Sequence, residues 1–399
     1  MSCFSAIQQK EEQVLCRGYA RYPLAIEKGH GNYLWDCEGK KYLDLIAGIA
    51  VVGLGHCNEE LAETMEKQAR KLIHVSNLFY QEEQLELAEK LLGTAHFGKA
   101  FFCNSGAEAN EAAIKLARRY SQRVKNNGAY EIITFNMCFH GRTLATIAAT
   151  GERIQDGFAP IPEGFKQIPW GDLDLVREAI SDKTAGILIE AIQGEGGVRA
   201  VTPEFIQGIA ALCKEKDILL LMDEVQCGLG RTGKWWGFQH FGVQPDIISI
   251  AKGLANGLPM GAMMATEEVA KGFVTGSHAT TFGGGAFVSA VAAKTLEIIE
   301  RDKLYENAAT VGAWAIERFT AIGKKFPGAI KEVRGLGLII GIDMAQPAKA
   351  IWQECINRGV IVNLTQETVL RLIPSLTVTQ DELEHFAQTF EAILADGIR

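Results

Sequence analysis

Between about residue 98 and residue 290, short apolar segments alternate with stretches that have helical periodicity. The apolar segments are rich in β-branched or aromatic residues and comprise 100–103, 131–135, 185–190, 218–222 and 247–250. This alternation predicts an α/β fold in which a largely parallel sheet is covered by helices on both faces. In such sheets, ligands bind at the carboxyl ends of the strands. The chemically informative residues of this chain all follow those strands.

The two ends of the chain have a different pattern and predict a second, smaller domain. A chain of 399 residues is long for a single hydrophobic core, which favours two domains. Residues 1–50 are interpreted as an N-terminal arm with a small sheet, and residues 296–399 as an α+β segment. We predict that both segments contribute to a small α+β domain and that residues 51–295 form the large domain.

Charge and cysteine content argue against several classes of protein. The 40 Lys and Arg residues and 48 Asp and Glu residues give a net charge of −8, which disfavours binding to nucleic acid or to an anionic membrane. The nine cysteines are scattered and include no CxxC pair, so we expect no disulfide framework, no metal site and a cytoplasmic location. The most apolar run, residues 45–55, is too short to cross a bilayer.

Lys252 follows the apolar segment 247–250 and directly precedes a glycine-rich turn. A lysine at the end of a buried strand is desolvated, and desolvation shifts its amine toward the neutral form that makes Schiff bases. Lysines are, however, mostly exposed to solvent. On its own, the pattern leaves both a nucleophilic lysine and a surface lysine open.

Two other strand ends carry residues that suit a phosphate and a ring nitrogen. Ser105 and Gly106 precede a strong helix, so they either present free backbone amides to an anion or merely cap the helix. Asp223 ends the apolar segment 218–222, where a buried carboxylate requires a cation or hydrogen-bond donors. It is either the cap of the next turn or the partner of a protonated ring nitrogen, as pyridoxal phosphate requires.

The segment Cys138–Thr143 follows the strand predicted at 131–135. Phe139 could cover a flat ring, and the planar guanidinium of Arg142 could bind a carboxylate. A short motif of this kind is equally compatible with a loop that contains a structural salt bridge.

Seven motifs occur in a single order along nearly the whole chain. They are Asn104–Asn110 (NSGAEAN), Phe139–Thr143 (FHGRT), Gln193–Gly197 (QGEGG), Asp223–Gln226 (DEVQ), Ser249–Gly253 (SIAKG), Thr280–Gly284 (TTFGG) and Leu370–Pro374 (LRLIP). Together they resemble the class III, fold-type I aminotransferases, and within that class the acetylornithine enzymes of arginine biosynthesis.

The resemblance implies a fold-type I, pyridoxal-phosphate-dependent transferase whose large domain has a mostly parallel seven-stranded sheet. Lys252 is then the residue that links the cofactor covalently and transfers protons, and Asp223 pairs with the pyridinium nitrogen. The other implied cofactor-binding residues are Ser105, Gly106, Ala107, Phe139, Glu224, Val225, Gln226 and Thr281. Thr281 would act from the neighbouring subunit, which implies a homodimer with shared active sites.

For the substrates, the resemblance implies that Arg142 and Thr280 bind the carboxylate region. In the enzymes that this chain resembles, Glu195 pairs with Arg371 while the ω-amino donor is bound. Glu195 moves away when the α-carboxylate of glutamate needs Arg371. The alternative is a fixed, buried ion pair with a structural role.

The implied reaction moves the δ-amino group of N-acetylornithine to 2-oxoglutarate and yields glutamate. Succinylornithine, ornithine or 4-aminobutyrate as donor, an aminomutase, and a catalytically inactive dimeric relative are the alternatives. The segment 74–80 favours the acylornithine enzymes. Ala191, Gly285–Ala286 and Ser375 depart from the family pattern of Pro, Asn-Pro and Pro, which leaves the exact donor open.

Overall fold

The computed structural model describes residues 2–398. Its helices are α1 (Cys3–Val14), α2 (Ala47–Ala50), α3 (Glu59–Lys71), α4 (Glu82–Leu92), α5 (Gly106–Arg123), α6 (Leu144–Thr150), α7 (Leu173–Ala179), α8 (Pro203–Lys216), α9 (Glu267–Ala270), α10 (Ala286–Arg301), α11 (Leu304–Lys325), α12 (Lys349–Asn357) and α13 (Gln380–Ala395). Its strands are β1 (Ile26–His30), β2 (Tyr33–Asp36), β3 (Lys41–Asp44), β4 (Lys99–Cys103), β5 (Glu131–Phe135), β6 (Phe165–Ile168), β7 (Thr184–Glu190), β8 (Ile192–Gln193), β9 (Arg199–Ala200), β10 (Leu219–Asp223), β11 (Ile247–Ile250), β12 (Gly261–Ala265), β13 (Ile330–Leu336), β14 (Ile339–Met344), β15 (Val360–Ile361), β16 (Asn363–Thr365) and β17 (Val369–Leu372).

The large sheet has the strand order β4-β12-β11-β10-β7-β5-β6. Strand β12 is antiparallel to both of its neighbours, whereas β11, β10, β7, β5 and β6 pair in parallel. The prediction of a mostly parallel seven-stranded sheet is therefore confirmed. The apolar pattern does not predict β12 or β6, because Gly and Ala in β12 and the polar residues of β6 have weak strand propensity.

The two ends of the chain meet in one small sheet of order β1-β2-β3-β15. Its last pair is parallel and joins Leu43 to Val360, so the N-terminal and C-terminal segments share backbone hydrogen bonds. A second small sheet has the order β13-β14-β17-β16. The predicted boundary between residues 295 and 296 falls inside the continuous helix α10, and the domain limits stay a prediction.

Two features of the described residues bear on the predictions from cysteine content and hydropathy. Cys3 and Cys37 form a disulfide that ties α1 to the turn after β2, with their Cα atoms 6.1 Å apart. The spacing of the cysteines does not predict this single bond, because the path of the N-terminal segment brings together two residues that are distant in sequence. Within residues 2–398, no helix is both long enough and apolar enough to cross a membrane.

Candidate active site

The carboxyl ends of the central strands surround a cavity of about 410 Å³. This volume lies in the range of sites that bind small organic ligands. Ten of the sequence-predicted site residues line it: Ser105, Gly106, Ala107, Phe139, Arg142, Glu195, Asp223, Val225, Gln226 and Lys252. The expected edge of the sheet therefore brings most of the predicted residues into one space.

One end of the cavity is formed by the N-terminus of α5. Ser105 is the N-cap of this helix, and its Oγ accepts a hydrogen bond from the Glu108 amide at 3.2 Å. The amides of Gly106 and Ala107 are in the first turn, where the helix itself offers them no acceptor. A Cβ atom on Gly106 would lie 2.8 Å from a methyl carbon of Val225, so glycine is required for this close approach. This end of the cavity suits an anion such as a phosphate.

Asp223 is the last residue of β10 and is buried. Its Oδ2 accepts hydrogen bonds from His140 Nδ1 at 2.7 Å and from Asn110 Nδ2 at 2.8 Å. Its Oδ1 accepts one from the Val225 amide at 3.0 Å. Burial raises the pKa of Asp223, but the hydrogen bond and charge of His140, together with Asn110, outweigh it and lower the pKa below its ordinary value. The carboxylate is therefore ionised and can pair with a protonated ring nitrogen.

A layer of buried polar residues behind Asp223 holds it in place. Ser249 Oγ donates to Asn110 Oδ1 at 2.6 Å, and Asn110 Nδ2 also donates to the His140 carbonyl at 2.8 Å. Burial lowers the pKa of His140, but Cys138 and Asp223 outweigh it and raise the pKa well above its ordinary value. Sequence reasoning assigned no role to His140, Asn110 or Ser249, although each lies within a quoted motif.

The pattern predicts Lys252 at the strand end. In the structure it lies two residues beyond the end of β11, where it begins a short 3₁₀ turn. Its φ of 46° is in the left-handed region, which residues other than glycine adopt rarely and mostly at special sites. Burial lowers the pKa of Lys252 below its ordinary value, against the opposing effect of Glu195. Within residues 2–398, its amine forms no salt bridge or side-chain hydrogen bond, so it faces the cavity as a potential nucleophile.

The predicted pair of Glu195 and Arg371 is present. Arg371 Nη1 donates to Glu195 Oε1 at 2.7 Å and to Gln226 Oε1 at 3.3 Å. Burial raises the pKa of Glu195, but the charge and hydrogen bond of Arg371 outweigh it and lower the pKa. The Arg371 side chain is 2% exposed and that of Glu195 is 30% exposed. Glu195 is therefore the member of the pair that has room to move.

Four predicted residues are not part of the cavity wall: Arg371, which contacts the wall residues Glu195 and Gln226, and Glu224, Thr280 and Thr281. The carboxylate of Glu224 accepts hydrogen bonds from the amides of Gly237 and Phe238, both at 2.9 Å, so its geometry indicates a structural role. Thr280 Oγ1 accepts a hydrogen bond from Asn104 Nδ2 at 3.1 Å. Thr281 is exposed, as a residue that acts in a neighbouring subunit would be.

Glu190 is a cavity residue that sequence reasoning missed. It ends β7, directly beside Asp223 in the sheet, and its carboxylate accepts a hydrogen bond from the Phe139 amide at 3.3 Å. Burial raises its pKa to about 8, and the charge of Asp223 acts in the same direction. The signal that identified Asp223, a carboxylate that ends a strongly apolar strand, also applies to Glu190.

We predict that replacing Glu190 with glutamine removes a pH-dependent loss of stability. The folded-state pKa of about 8 lies above the ordinary value of 4.5, so the contribution of this group is full below pH 4.5 and is lost as the pH rises through 8. Relative to wild type, the free energy of unfolding of Glu190→Gln should rise by about 2–4 kcal/mol between pH 5 and pH 8, at 1.36 kcal/mol per pKa unit.

Urea denaturation at fixed ionic strength measures this difference. The control is Glu317→Gln, which alters an exposed glutamate on α11 and should show no trend with pH. A pH-independent difference for Glu190→Gln would mean that Glu190 is already ionised at pH 5.

The residues of this cavity fit pyridoxal phosphate. An anion site at a helix N-terminus, an ionised and buried carboxylate, an aromatic ring and a desolvated amine surround one space. These groups match the phosphate, the ring nitrogen, the ring face and the aldehyde of that cofactor, respectively. In the described part of the chain, no group of three or more His, Cys, Asp or Glu side chains is arranged to hold a metal ion.

The positions that depart from the family pattern lie outside the cavity wall. Ala191 is fully buried beside Gly237, and Gly285 is the N-cap of α10. Ser375 Oγ donates to Asn32 Oδ1 and therefore connects the C-terminal segment to the N-terminal one. Their effect on the donor must be indirect, through the backbone.

Comparison with known proteins gives consistent matches over nearly the full length. A family model described as "Aminotransferase class-III" matches residues 14–394. The acetylornithine aminotransferase of Methanocaldococcus jannaschii is 43% identical over 383 residues, which cover 95% of each chain. The ornithine aminotransferase from Toxoplasma gondii ME49 is 29% identical, with a TM-score of 0.95 over 99% of this chain and 97% of that one.

A second structure of the Toxoplasma gondii ornithine aminotransferase has PLP at partial occupancy in its active site. It is 29% identical, with a TM-score of 0.93 over 98% of this chain and 95% of that one. These matches confirm the family resemblance and the fold class that the seven motifs imply.

Proposed function

The chain belongs to the class III aminotransferases, and we propose that it transfers the δ-amino group of N-acetylornithine to 2-oxoglutarate. The products are N-acetylglutamate 5-semialdehyde and glutamate. The observation that carries the proposal is the ion pair between Arg371 and Glu195, which lines the same cavity as Lys252 and Asp223. The choice of donor is supported by the curated relatives, among which the acetylornithine aminotransferase of Methanocaldococcus jannaschii is 43% identical to this chain.

The cofactor of this enzyme is pyridoxal phosphate, which supplies an electron sink for the carbon that carries the amine. We propose that the amides of Gly106 and Ala107 hold its phosphate. Asp223 would keep its ring nitrogen protonated, because the carboxylate is ionised and buried. Phe139 would cover the ring, and Gln226 would contact the phenolic oxygen.

Lys252 is proposed as both the covalent attachment point and the general base. Its lowered pKa increases the fraction of neutral amine, which can accept the proton from the carbon next to the transferred amino group. The donor leaves before 2-oxoglutarate binds, so the kinetics should be ping-pong. Arg142, in the cavity wall, and Thr280 are proposed to bind the substrate carboxylate region.

The Glu195–Arg371 pair explains how one site can accept two substrates of different charge. Glu195 neutralises Arg371 at 2.7 Å, and we propose that this pair persists while the amine donor is bound. When glutamate or 2-oxoglutarate binds, its α-carboxylate takes the place of the Glu195 carboxylate. In both states the buried Arg371 guanidinium therefore has a carboxylate partner, with which it can form two charge-assisted hydrogen bonds. Without such a partner it would be a buried, unpaired charge.

We propose that the active enzyme is a homodimer in which Thr281 reaches the cofactor phosphate of the partner. Exposed apolar side chains flank the Thr281 segment, and Asn77 Nδ2 donates to the Gly283 carbonyl at 2.9 Å, which joins the two loops. These side chains are Ile73, Leu78, Phe79, Tyr80 and Phe282. An exposed patch of this kind marks an interface. Sedimentation equilibrium should give twice the mass of the chain, and a monomer would contradict the shared site.

The division into a large domain, residues 51–295, and a small domain from both termini is part of this proposal. The parallel pairing of β3 with β15 supports it, because it joins the two terminal segments. A cytoplasmic location remains a prediction from the scattered cysteines.

The proposed donor is tested by glutamate formation with 2-oxoglutarate as acceptor. N-acetylornithine, succinylornithine, ornithine and 4-aminobutyrate are compared by kcat/KM under the same conditions. We expect the highest value for N-acetylornithine. A clear preference for ornithine or 4-aminobutyrate would overturn the donor while leaving the aminotransferase chemistry in place, and would indicate that the departures at Ala191, Ala286 and Ser375 alter the pocket.

A further inference from the structure

The hairpin formed by β16 and β17 contacts both members of the Glu195–Arg371 pair. Strand β17 carries Arg371, whose Nε donates to Asn363 Oδ1 on β16 at 3.0 Å. The tip of the same hairpin reaches Glu195: Thr365 Oγ1 donates to its carbonyl oxygen at 3.1 Å, and Gln366 Nε2 donates to the same atom at 2.8 Å. One hairpin of the C-terminal segment therefore holds the side chain of Arg371 and the main chain of Glu195.

The rest of the Glu195 turn is also held by the C-terminal segment. Glu195 lies in the connection between the paired strands β8 and β9. Two residues later, the Gly197 carbonyl accepts hydrogen bonds from Arg334 Nη2 at 2.7 Å and from Arg334 Nε at 3.0 Å. With its carbonyl groups held in this way, the main chain of the turn has little freedom. Movement of Glu195 away from Arg371 is therefore a rotation of its side chain about a fixed backbone.

We infer that Thr365 and Gln366 are positioning residues that set the preference between the two substrates, an inference that rests on the proposed function. Their hydrogen bonds keep the Glu195 backbone where its carboxylate meets Arg371, which is the arrangement that the amine donor needs. Without them the turn is looser and the ion pair is weaker. Arg371 then becomes more available to the α-carboxylate of glutamate. A neutral hydrogen bond of this kind changes an equilibrium by about twofold to tenfold.

The test uses the combined variant Thr365→Val and Gln366→Asn in the cofactor-loaded enzyme. Valine keeps the shape of threonine but lacks the hydroxyl. Asparagine is too short to reach Glu195 and tolerates the left-handed φ of 50° at this position. With each half-reaction measured alone, kcat/KM for N-acetylornithine should fall about fivefold or more, while the value for glutamate stays constant or rises.

A binding measurement complements the kinetics and does not depend on turnover. Glutarate has two carboxylates and no amine, so it occupies the glutamate site without reacting. Calorimetry should show about fivefold tighter binding of glutarate to the combined variant, because Arg371 is released from Glu195. The single variant Thr365→Ser keeps the hydroxyl and loses only the methyl group, so it should behave as wild type. If the bulk of Thr365 were decisive, this variant would differ from wild type.

The matched control is Glu367→Asp, which shortens the adjacent, exposed side chain by the same single methylene. It should alter neither half-reaction. Equal changes in both half-reactions of the combined variant, or an unchanged Kd for glutarate, would overturn the inference. If the wild type fails to react with N-acetylornithine, the proposed donor is wrong, whereas the glutamate and glutarate measurements still decide the role of the hairpin.

Discussion

Replacing Lys252 with alanine should lower kcat by at least about a thousandfold, because general base catalysis alone contributes roughly 10²–10⁴. The variant should also lose the covalent link to the cofactor. Borohydride reduction followed by intact-mass measurement detects this link directly. The wild type should retain the added mass, and Lys252→Ala should not.

The fold should survive this substitution. Alanine is no more strained than lysine at a φ of 46°, and the lysine amine forms no salt bridge with the described residues that would be lost. We therefore expect the free energy of unfolding, measured without cofactor, to change by about 1 kcal/mol or less. Lys183→Ala, which removes an exposed lysine, is the control and should leave kcat unchanged. Near-normal turnover by Lys252→Ala would refute the assignment.

Replacing Asp223 with asparagine should be the second most damaging change. The negative charge that is proposed to keep the ring nitrogen protonated is lost, and the cost of removing one member of a buried ion pair is about 3–5 kcal/mol. If this cost falls on the transition state, kcat decreases by roughly 150- to 5,000-fold. Asparagine is nearly isosteric, so the cofactor should still enter the cavity. Steady-state kinetics and cofactor absorbance separate the two effects.

A second aspartate in the same sheet provides the control. Asp246 precedes β11 at the opposite edge of the sheet, and its Oδ2 accepts a hydrogen bond from the Leu220 amide at 2.8 Å. Asp246→Asn should reduce stability while leaving kcat of the folded enzyme unchanged. A loss of activity below about fivefold in Asp223→Asn would show that Asp223 only holds the fold together with His140.

Much of the local structure follows from periodicity and end signals in the sequence. The helices α3 and α4 follow from patterns within their own segments, since apolar spacing sets their buried faces and Asn58 caps α3. The strands predicted at 218–222 and 247–250 correspond to β10 and β11 to within one residue. These features depend on interactions between residues that are close in the chain, so the local sequence is sufficient to predict them.

The residues that support the site cannot be predicted from local sequence patterns in the same way. Asn110 is far from Asp223 in sequence, and nothing local indicates that its amide reaches the Asp223 carboxylate at 2.8 Å. The contact arises because α5 packs across the sheet over β10 and β11. The hydrogen bonds from the β16–β17 hairpin to Glu195 arise in the same way, from packing between distant segments of the chain.

Asp223 and Glu224 show most clearly what the sequence determines and what only the tertiary structure decides. The sequence by itself determines that two adjacent carboxylates follow a buried strand, and therefore that at least one needs a partner. Only the tertiary structure decides that Asp223 faces the cavity while Glu224 binds the amides of Gly237 and Phe238. Neighbouring side chains at a strand end point in opposite directions, and which direction meets the cavity depends on how the sheet is covered by the rest of the chain.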